Sequence, residues 1–176
     1  WEGEASVRFL AGALRAGLAV HTSTLPFTQK GKGFGAGTLV VKRSDNDESL
    51  HTTVSQLAQQ TQAEVIGTET SWTEAGSNFG SNNVRKIPKV KIALAWDEPT
   101  RSLSAGATRY WLERKFSYPV TPVRTEHLKG EPLNDFHVVI LPDGSDYERY
   151  LGKRGVEELR VWVERGGVLV GLGRAN

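Results

Sequence analysis

Four apolar runs in the second half of the chain alternate with two amphipathic segments. The runs predict strands over residues 90–96, 120–124, 136–141 and 168–170. Apolar residues recur at helical spacing over 104–116 and 152–165, which predicts two helices. The order strand, helix, strand, strand, helix, strand predicts a mostly parallel sheet with helices on both faces.

The first half of the chain has a different pattern. Residues 4–16 and 49–62 predict helices, with Asp47 or Ser49 as the N-cap of the second. A strand over 18–28 and a strand over 38–41 are joined by a segment with glycine at positions 31, 33, 35 and 37, which predicts a β-hairpin. Residues 64–66 predict a short closing strand. This half therefore predicts a small α+β module.

The boundary between the two patterns lies in a segment rich in turn-forming residues. Residues 73–83 are mostly Gly, Ser, Asn and Thr, and Pro88 follows. We therefore predict a small module over 1–75, a linker over 76–89 and an α/β domain over 90–176.

Composition excludes several classes of function. The chain has 22 basic and 20 acidic residues, so its charge gives no reason to expect a nucleic-acid partner. No apolar run approaches the roughly 20 residues of a membrane span, so no membrane partner is expected. The absence of cysteine removes disulfides, thiolate zinc sites and a cysteine nucleophile. Because methionine is also absent, we expect the chain to be an internal piece of a longer protein.

Three segments follow the carboxyl ends of predicted strands, and the last of them is Gly-Leu-Gly-Arg-Ala at 171–175. Asp97 and Glu98 follow the first strand of the second half, and Asp143, Ser145 and Asp146 follow the third. Ligands of open parallel sheets bind beyond the carboxyl ends of the strands, so these five residues are candidate ligand-binding residues. The alternative is that the same residues cap helices and form tight turns.

Other catalytic and metal-binding patterns are missing. The four histidines, at 21, 51, 127 and 137, lack the spacing of a local metal site. The glycines at 31–37 precede a strand rather than a helix, which is unlike a phosphate-binding loop. Neither Ser102, Ser104 nor Ser145 lies in a Gly-x-Ser-x-Gly elbow.

The sequence Gly-Gly-Val-Leu-Val-Gly-Leu-Gly-Arg over 166–174 resembles the elbow of class I glutamine amidotransferases, where a strand leads into Gly-x-Cys-x-Gly. In that alignment the nucleophile position falls on Gly173. The resemblance therefore implies an amidotransferase-like, flavodoxin-like sheet whose reactive thiolate is lost. No catalytic residue can be assigned in this chain.

A second resemblance covers most of the chain and rests on the order of several short pieces. These are Pro-Lys-Val-Lys-Ile-Ala-Leu at 88–94, Gly-Ala-Thr-Arg-Tyr-Trp at 106–111, Val-Val-Ile-Leu-Pro-Asp-Gly at 138–144, Leu-Arg-Val-Trp-Val-Glu-Arg-Gly-Gly at 159–167 and Phe-Gly-Ala-Gly-Thr at 34–38. Together they resemble the amidotransferase-like domain, and the small module before it, that accompany the catalytic domain of one group of bacterial zinc carboxypeptidases.

This resemblance implies a role for the chain. It would be a non-catalytic accessory domain, structural or substrate-orienting, whose partner is the catalytic peptidase domain of the same polypeptide. Zinc would belong to that catalytic domain, with no cofactor in this chain, and the parent would be periplasmic or secreted. Two alternatives remain: a module that binds a small molecule or a peptide terminus in the carboxyl-end cleft, and an independent hydrolase or amidotransferase, which would lack every nucleophile and metal motif considered above.

Overall fold

A computed structural model describes residues 3–175 of the chain. The chain forms two compact units, Trp1–Lys89 and Val90–Asn176. Each unit has its own sheets and its own packed helices. The two are therefore described separately.

The first unit combines two helices with two small antiparallel sheets. Helices α1 (Gly3–Arg15) and α2 (Leu50–Thr61) pack against each other, and Gly12 allows Leu57 to approach the backbone of α1 closely. In one sheet β1 (Val20–Ser23) lies between β4 (Leu39–Val41) and β6 (Val84–Lys86). In the other, β2 (Phe27–Gln29) lies between β3 (Lys32–Phe34) and β5 (Ala75–Gly76).

The predicted hairpin is more divided than the sequence pattern suggests. Strands β1 and β4 do pair antiparallel, but the strand predicted over 18–28 is interrupted. The Ser23 hydroxyl donates to the Leu25 carbonyl at 2.6 Å, and Pro26 has no N–H to continue a ladder. A tight turn at Lys30 and Gly31, both with positive φ, then joins β2 to β3.

Two other segments of the first unit differ from expectation. Residues 64–66 form no strand, although Glu64 contacts the Lys32 ammonium group at 2.6 Å. The segment 76–89, predicted as a linker, includes β6, whose residues pair in register with β1. Turn-forming residues around β6 obscured this strand, which has only one buried residue, Val84.

Asp47 accepts bonds from the N–H and hydroxyl of Ser49, while Ser49 itself makes no capping bond.

The second unit contains a four-stranded parallel sheet flanked by helices, which confirms the predicted α/β class. In chain order the strands are β7 (Ile92–Ala95), β8 (Thr121–Val123), β9 (Val138–Leu141) and β10 (Val168–Gly171). Across the sheet they lie in the order β10, β9, β7, β8, and all neighbours are parallel. The two central strands are almost wholly buried, whereas both edge strands are largely accessible.

Helices lie on both faces of this sheet. Helix α4 (Tyr147–Glu164) packs on the face that carries Ala93 and Val139, mainly through Leu159 and Trp162. Helix α3 (Ser102–Tyr110) lies over the opposite face, near Ile140, and continues as one π-helical turn over Trp111–Lys115. Because successive strand residues point to opposite faces, both helices can cover the same central strands.

Helix α4 begins five residues before its predicted start at position 152. Gly152 has φ 70° and ψ 162°, so the helix contains a kink there. Because glycine is unfavourable inside helices, the sequence pattern predicted that the helix begins at this residue. The turn before the kink is nevertheless fixed, because Tyr147 and Leu151 are buried in the core. This early start places α4 directly after the loop that follows β9.

We predict that acidification destabilises the first unit through His21. This side chain is 6% exposed, and burial first, then the charges of Lys42 and Lys86, lower its pKa below the ordinary 6.5, against an opposing effect of Asp45. The unfolded chain therefore takes up a proton at higher pH than the folded chain does. The contribution of neutral His21 to the free energy of unfolding is fully present above about pH 6.5. It falls as the pH drops toward the lowered pKa of the folded state.

The measurement is the free energy of unfolding by denaturant between about pH 7 and pH 5.5, a window chosen above the ordinary carboxylate pKa values. The variant His21→Gln should lose less stability over this window than the unmodified chain. Parallel curves for the two proteins would contradict the prediction.

Candidate functional site

The loops after β7 and β9 are joined at the carboxyl edge of the sheet. Thr100 and Gly144 form an antiparallel bridge, and the Arg101 N–H donates to the Asp143 carbonyl at 2.8 Å. The Tyr147 hydroxyl lies 2.9 Å from Thr100 Oγ1 and donates to the Pro142 carbonyl at 2.7 Å. A Cβ on Gly144 would lie 2.6 Å from the Pro99 carbonyl oxygen, so only glycine permits this approach.

The segment after β10 reaches the same place. The Arg174 N–H donates to Asp143 Oδ1 at 3.1 Å, and Arg174 Nε lies 3.4 Å from that oxygen. Arg101 Nη1 lies 3.4 Å from the other oxygen, Oδ2. The Asp143 carboxylate thus contacts residues that follow β7 and β10, while its own backbone follows β9.

The surroundings of Asp143 stabilise its ionised form. The bond from the Arg174 N–H is the largest cause of a lowered pKa, and the Arg174 side chain and the charge of Arg101 act in the same direction. Partial burial opposes these effects. Because Arg101 and Arg174 are both more than half exposed, their ion pairs are screened by water and contribute modestly to stability.

Two further candidates have partners within the unit. Asp97 Oδ1 accepts from the Thr125 N–H at 2.8 Å, which fixes the start of the short 3-10 helix Thr125–His127. Glu98 Oε2 accepts from the Tyr150 hydroxyl at 2.8 Å, and this bond raises the pKa of Tyr150. Ser145 and Asp146 are exposed, and Asp146 makes no side-chain capping bond to α4 within residues 3–175.

The structure therefore brings Asp143 into a cluster with residues that the sequence analysis did not select. Arg101 and Ser104 come from the start of α3, and the Ser104 hydroxyl accepts from the Asp143 N–H at 2.9 Å. Arg174 comes from the last turn of the described chain. Its position beside the elbow-like glycine was the available signal, whereas nothing local marks Arg101. The ligand-binding role of the five candidates stays a prediction.

Gly173 lies where β10 turns into a short 3-10 segment, Gly173–Ala175. Its φ is +61°, a left-handed conformation that favours glycine. A Cβ at this position would lie 2.8 Å from Asp143 Oδ1 and 3.0 Å from Asp143 Cβ. The side chain of Asp143 therefore fills the space that a side chain at position 173 would need.

Strand β10 is bordered by an apolar groove on each face. One groove, of about 1070 Å³, lies between α4 and the strand; it includes Val156, Val163 and Leu169, with charged residues such as Lys153 and Glu164 along its lining. The other, of about 360 Å³, lies beside α3 and includes Val170 and Leu172. Val168 and Leu169 are 51% and 41% exposed, which is unusual for the apolar residues of a parallel strand.

Within residues 3–175 no cluster of three or more His, Asp or Glu side chains is placed to hold a metal ion. Over the same part of the chain, no helix is both long and apolar enough to cross a bilayer.

We predict that the Asp97 carboxylate acts as a structural acceptor. Replacing it by alanine leaves the Thr125 N–H without its partner, so Asp97→Ala should lower the free energy of unfolding by about 1–3 kcal/mol. Asp97→Asn retains an amide oxygen at the same position and should lose clearly less. Urea unfolding of both variants is the measurement, and equal losses would contradict the role of the acceptor.

Comparison with known proteins adds no identification. A scan against family models, a search of curated proteins and a search of solved structures each found no match to this chain.

Proposed function

We propose that this chain is a non-catalytic accessory domain of a larger zinc-dependent carboxypeptidase, with a structural or substrate-orienting role. The observation that carries the proposal is the outer edge of β10, with which no strand of residues 3–175 pairs, together with a groove on each face of the strand. We assign this surface to the catalytic peptidase domain of the same polypeptide. The zinc, and a periplasmic or secreted location, would belong to that parent protein.

The backbone of β10 supports a docking role. The Val168 N–H donates to the His137 carbonyl and the Leu172 N–H to the Leu141 carbonyl, both toward β9. Because alternate residues of a strand point their backbone groups in opposite directions, Leu169 and Gly171 present theirs away from β9. The strand carries none of the charged residues or prolines that commonly protect an exposed edge.

The strand order supports a flavodoxin-like or amidotransferase-like sheet. Numbered by their order along the second unit, the strands lie in the order 2-1-3-4 across the sheet. Flavodoxin-like sheets have the order 2-1-3-4-5, and their ligands bind between the first and third strands. In this chain the corresponding loops meet at Asp143.

The chemistry at the elbow-like turn supports a non-catalytic role. The nucleophile position aligned with amidotransferases is Gly173, and the Asp143 side chain occupies the adjacent space. The chain has no cysteine with which to form a thiolate. Asp97, Glu98 and Asp143 are bonded to groups of their own unit, which is why we prefer docking to ligand binding in the cleft.

The test compares a charge at the open edge with a charge elsewhere on the same unit. Val168→Lys alters the edge, and Leu103→Lys is the matched control, because Leu103 is 85% exposed and lies on α3. In the native polypeptide that contains this segment, Val168→Lys should make the segment more susceptible to cleavage by an added protease. Leu103→Lys should not have this effect. In the present chain alone, neither substitution should alter cleavage much.

Release of C-terminal residues by the same native polypeptide, with and without a zinc chelator, tests the identity of the parent. Chelator-sensitive release is expected. A native polypeptide of about the present length without this activity would contradict the proposal, and so would equal cleavage of the two lysine variants.

A further inference from the structure

The Asp143 carboxylate is surrounded by donors that belong to other segments. Oδ1 accepts from the Arg174 N–H at 3.1 Å and faces Arg174 Nε at 3.4 Å, while Oδ2 faces Arg101 Nη1 at 3.4 Å. Each oxygen of one planar carboxylate thus has its own cationic partner. Guanidinium groups and backbone amides are donors that bind carboxylate anions, and at 3.4 Å the two guanidinium contacts here are ion pairs.

The backbone of the segments around the carboxylate is held in place by bonds that do not involve it. The Arg101 N–H donates to the backbone carbonyl of residue 143, and the N–H of residue 143 donates to Ser104 Oγ. After β10, the Leu172 N–H donates to the Leu141 carbonyl at 2.9 Å. Removing the carboxylate should therefore leave the Arg174 N–H and the backbone of Arg101 where they are.

Gly173 defines the space around the carboxylate. A Cβ at Gly173 would lie within 3.0 Å of three atoms of the Asp143 side chain, so the two residues share one small volume. With glycine at 173, truncation of Asp143 opens that volume toward the donors. The side of Asp143 that faces solvent is accessible, since its side chain is 25% exposed.

We propose that the Arg174 N–H and the guanidinium groups of Arg101 and Arg174 form a binding site for a small monocarboxylate, which Asp143 fills from within the chain. In the unmodified protein Asp143 keeps external carboxylates out. Without its side chain, the site takes up formate or acetate. Arg174 also lines the larger groove beside β10, but this proposal does not depend on docking there, because formate binding is measured in the present chain alone.

The lowered pKa of Asp143 agrees with this assignment, because donors that bind a carboxylate ion favour its charged form. Removal of Asp143 also leaves the guanidinium groups of Arg101 and Arg174 without the anion that both contact. Their mutual repulsion adds to the driving force for binding an external carboxylate.

The experiment measures rescue of Asp143→Ala by formate. Thermal unfolding is followed in sodium formate and in sodium chloride of equal ionic strength. At a formate concentration ten times its dissociation constant, the folding equilibrium constant of Asp143→Ala should rise about tenfold relative to chloride. Asp146→Ala is the matched control, since Asp146 is an exposed aspartate three positions along, and it should respond to the two salts as the unmodified chain does.

Resonance assignment locates the binding. The Arg174 amide signal of Asp143→Ala should shift saturably with formate, and that of the unmodified chain should not. Equal responses of Asp143→Ala and Asp146→Ala to formate would overturn the proposal. Shifts of amide signals spread over the whole surface would do the same, because either result indicates a general salt effect.

If Asp143→Ala does not fold, the unmodified chain still provides a test. Carbon-detected titration of the Asp143 carboxyl group should give a pKa below its ordinary value, and Arg101→Ala should raise that pKa. An Asp143 carboxyl that titrates normally, or one that does not respond to Arg101→Ala, would show that these groups do not form an anion site.

Discussion

Burial of the two central strands is the constraint on which the second unit depends. Every residue of β7 is buried, as are three of the four residues of β9. Full burial of one aliphatic side chain contributes about 1.5–3 kcal/mol, so Leu94 and Val139 alone outweigh the exposed ion pairs around Asp143. The helices, the carboxyl-edge loops and the turn at Gly173 are all positioned by this pair of strands.

The same constraint explains what could be predicted from sequence. Strands buried on both faces appear as uninterrupted apolar runs, so β7 and β9 and the parallel α/β class were evident. The start of α4 was missed because Gly152 interrupts the helical pattern, although Leu151 is buried. In the first unit, the break at Pro26 depends on a local bond from Ser23, which periodicity does not reveal.

The site was predicted only in part, because its contacts join distant residues. Asp143 was selected from its position after a strand, but Arg101 and Arg174 are 42 and 31 positions away from it and meet it only in the folded sheet. Sequence position alone also left open whether carboxylates serve ligands or turns. The bonds of Asp97 to Thr125 and of Asp143 to Arg174 favour an internal role.

The carboxylates at the carboxyl edge are bonded within their own unit, whereas β10 beside them has exposed apolar side chains, and we therefore propose docking through β10. The most direct measurement is hydrogen exchange of the Leu169 and Gly171 amides, in this chain alone and in the native polypeptide that contains it. We expect fast exchange in the chain alone and strong protection in the native polypeptide. Equally fast exchange in both would contradict docking at β10.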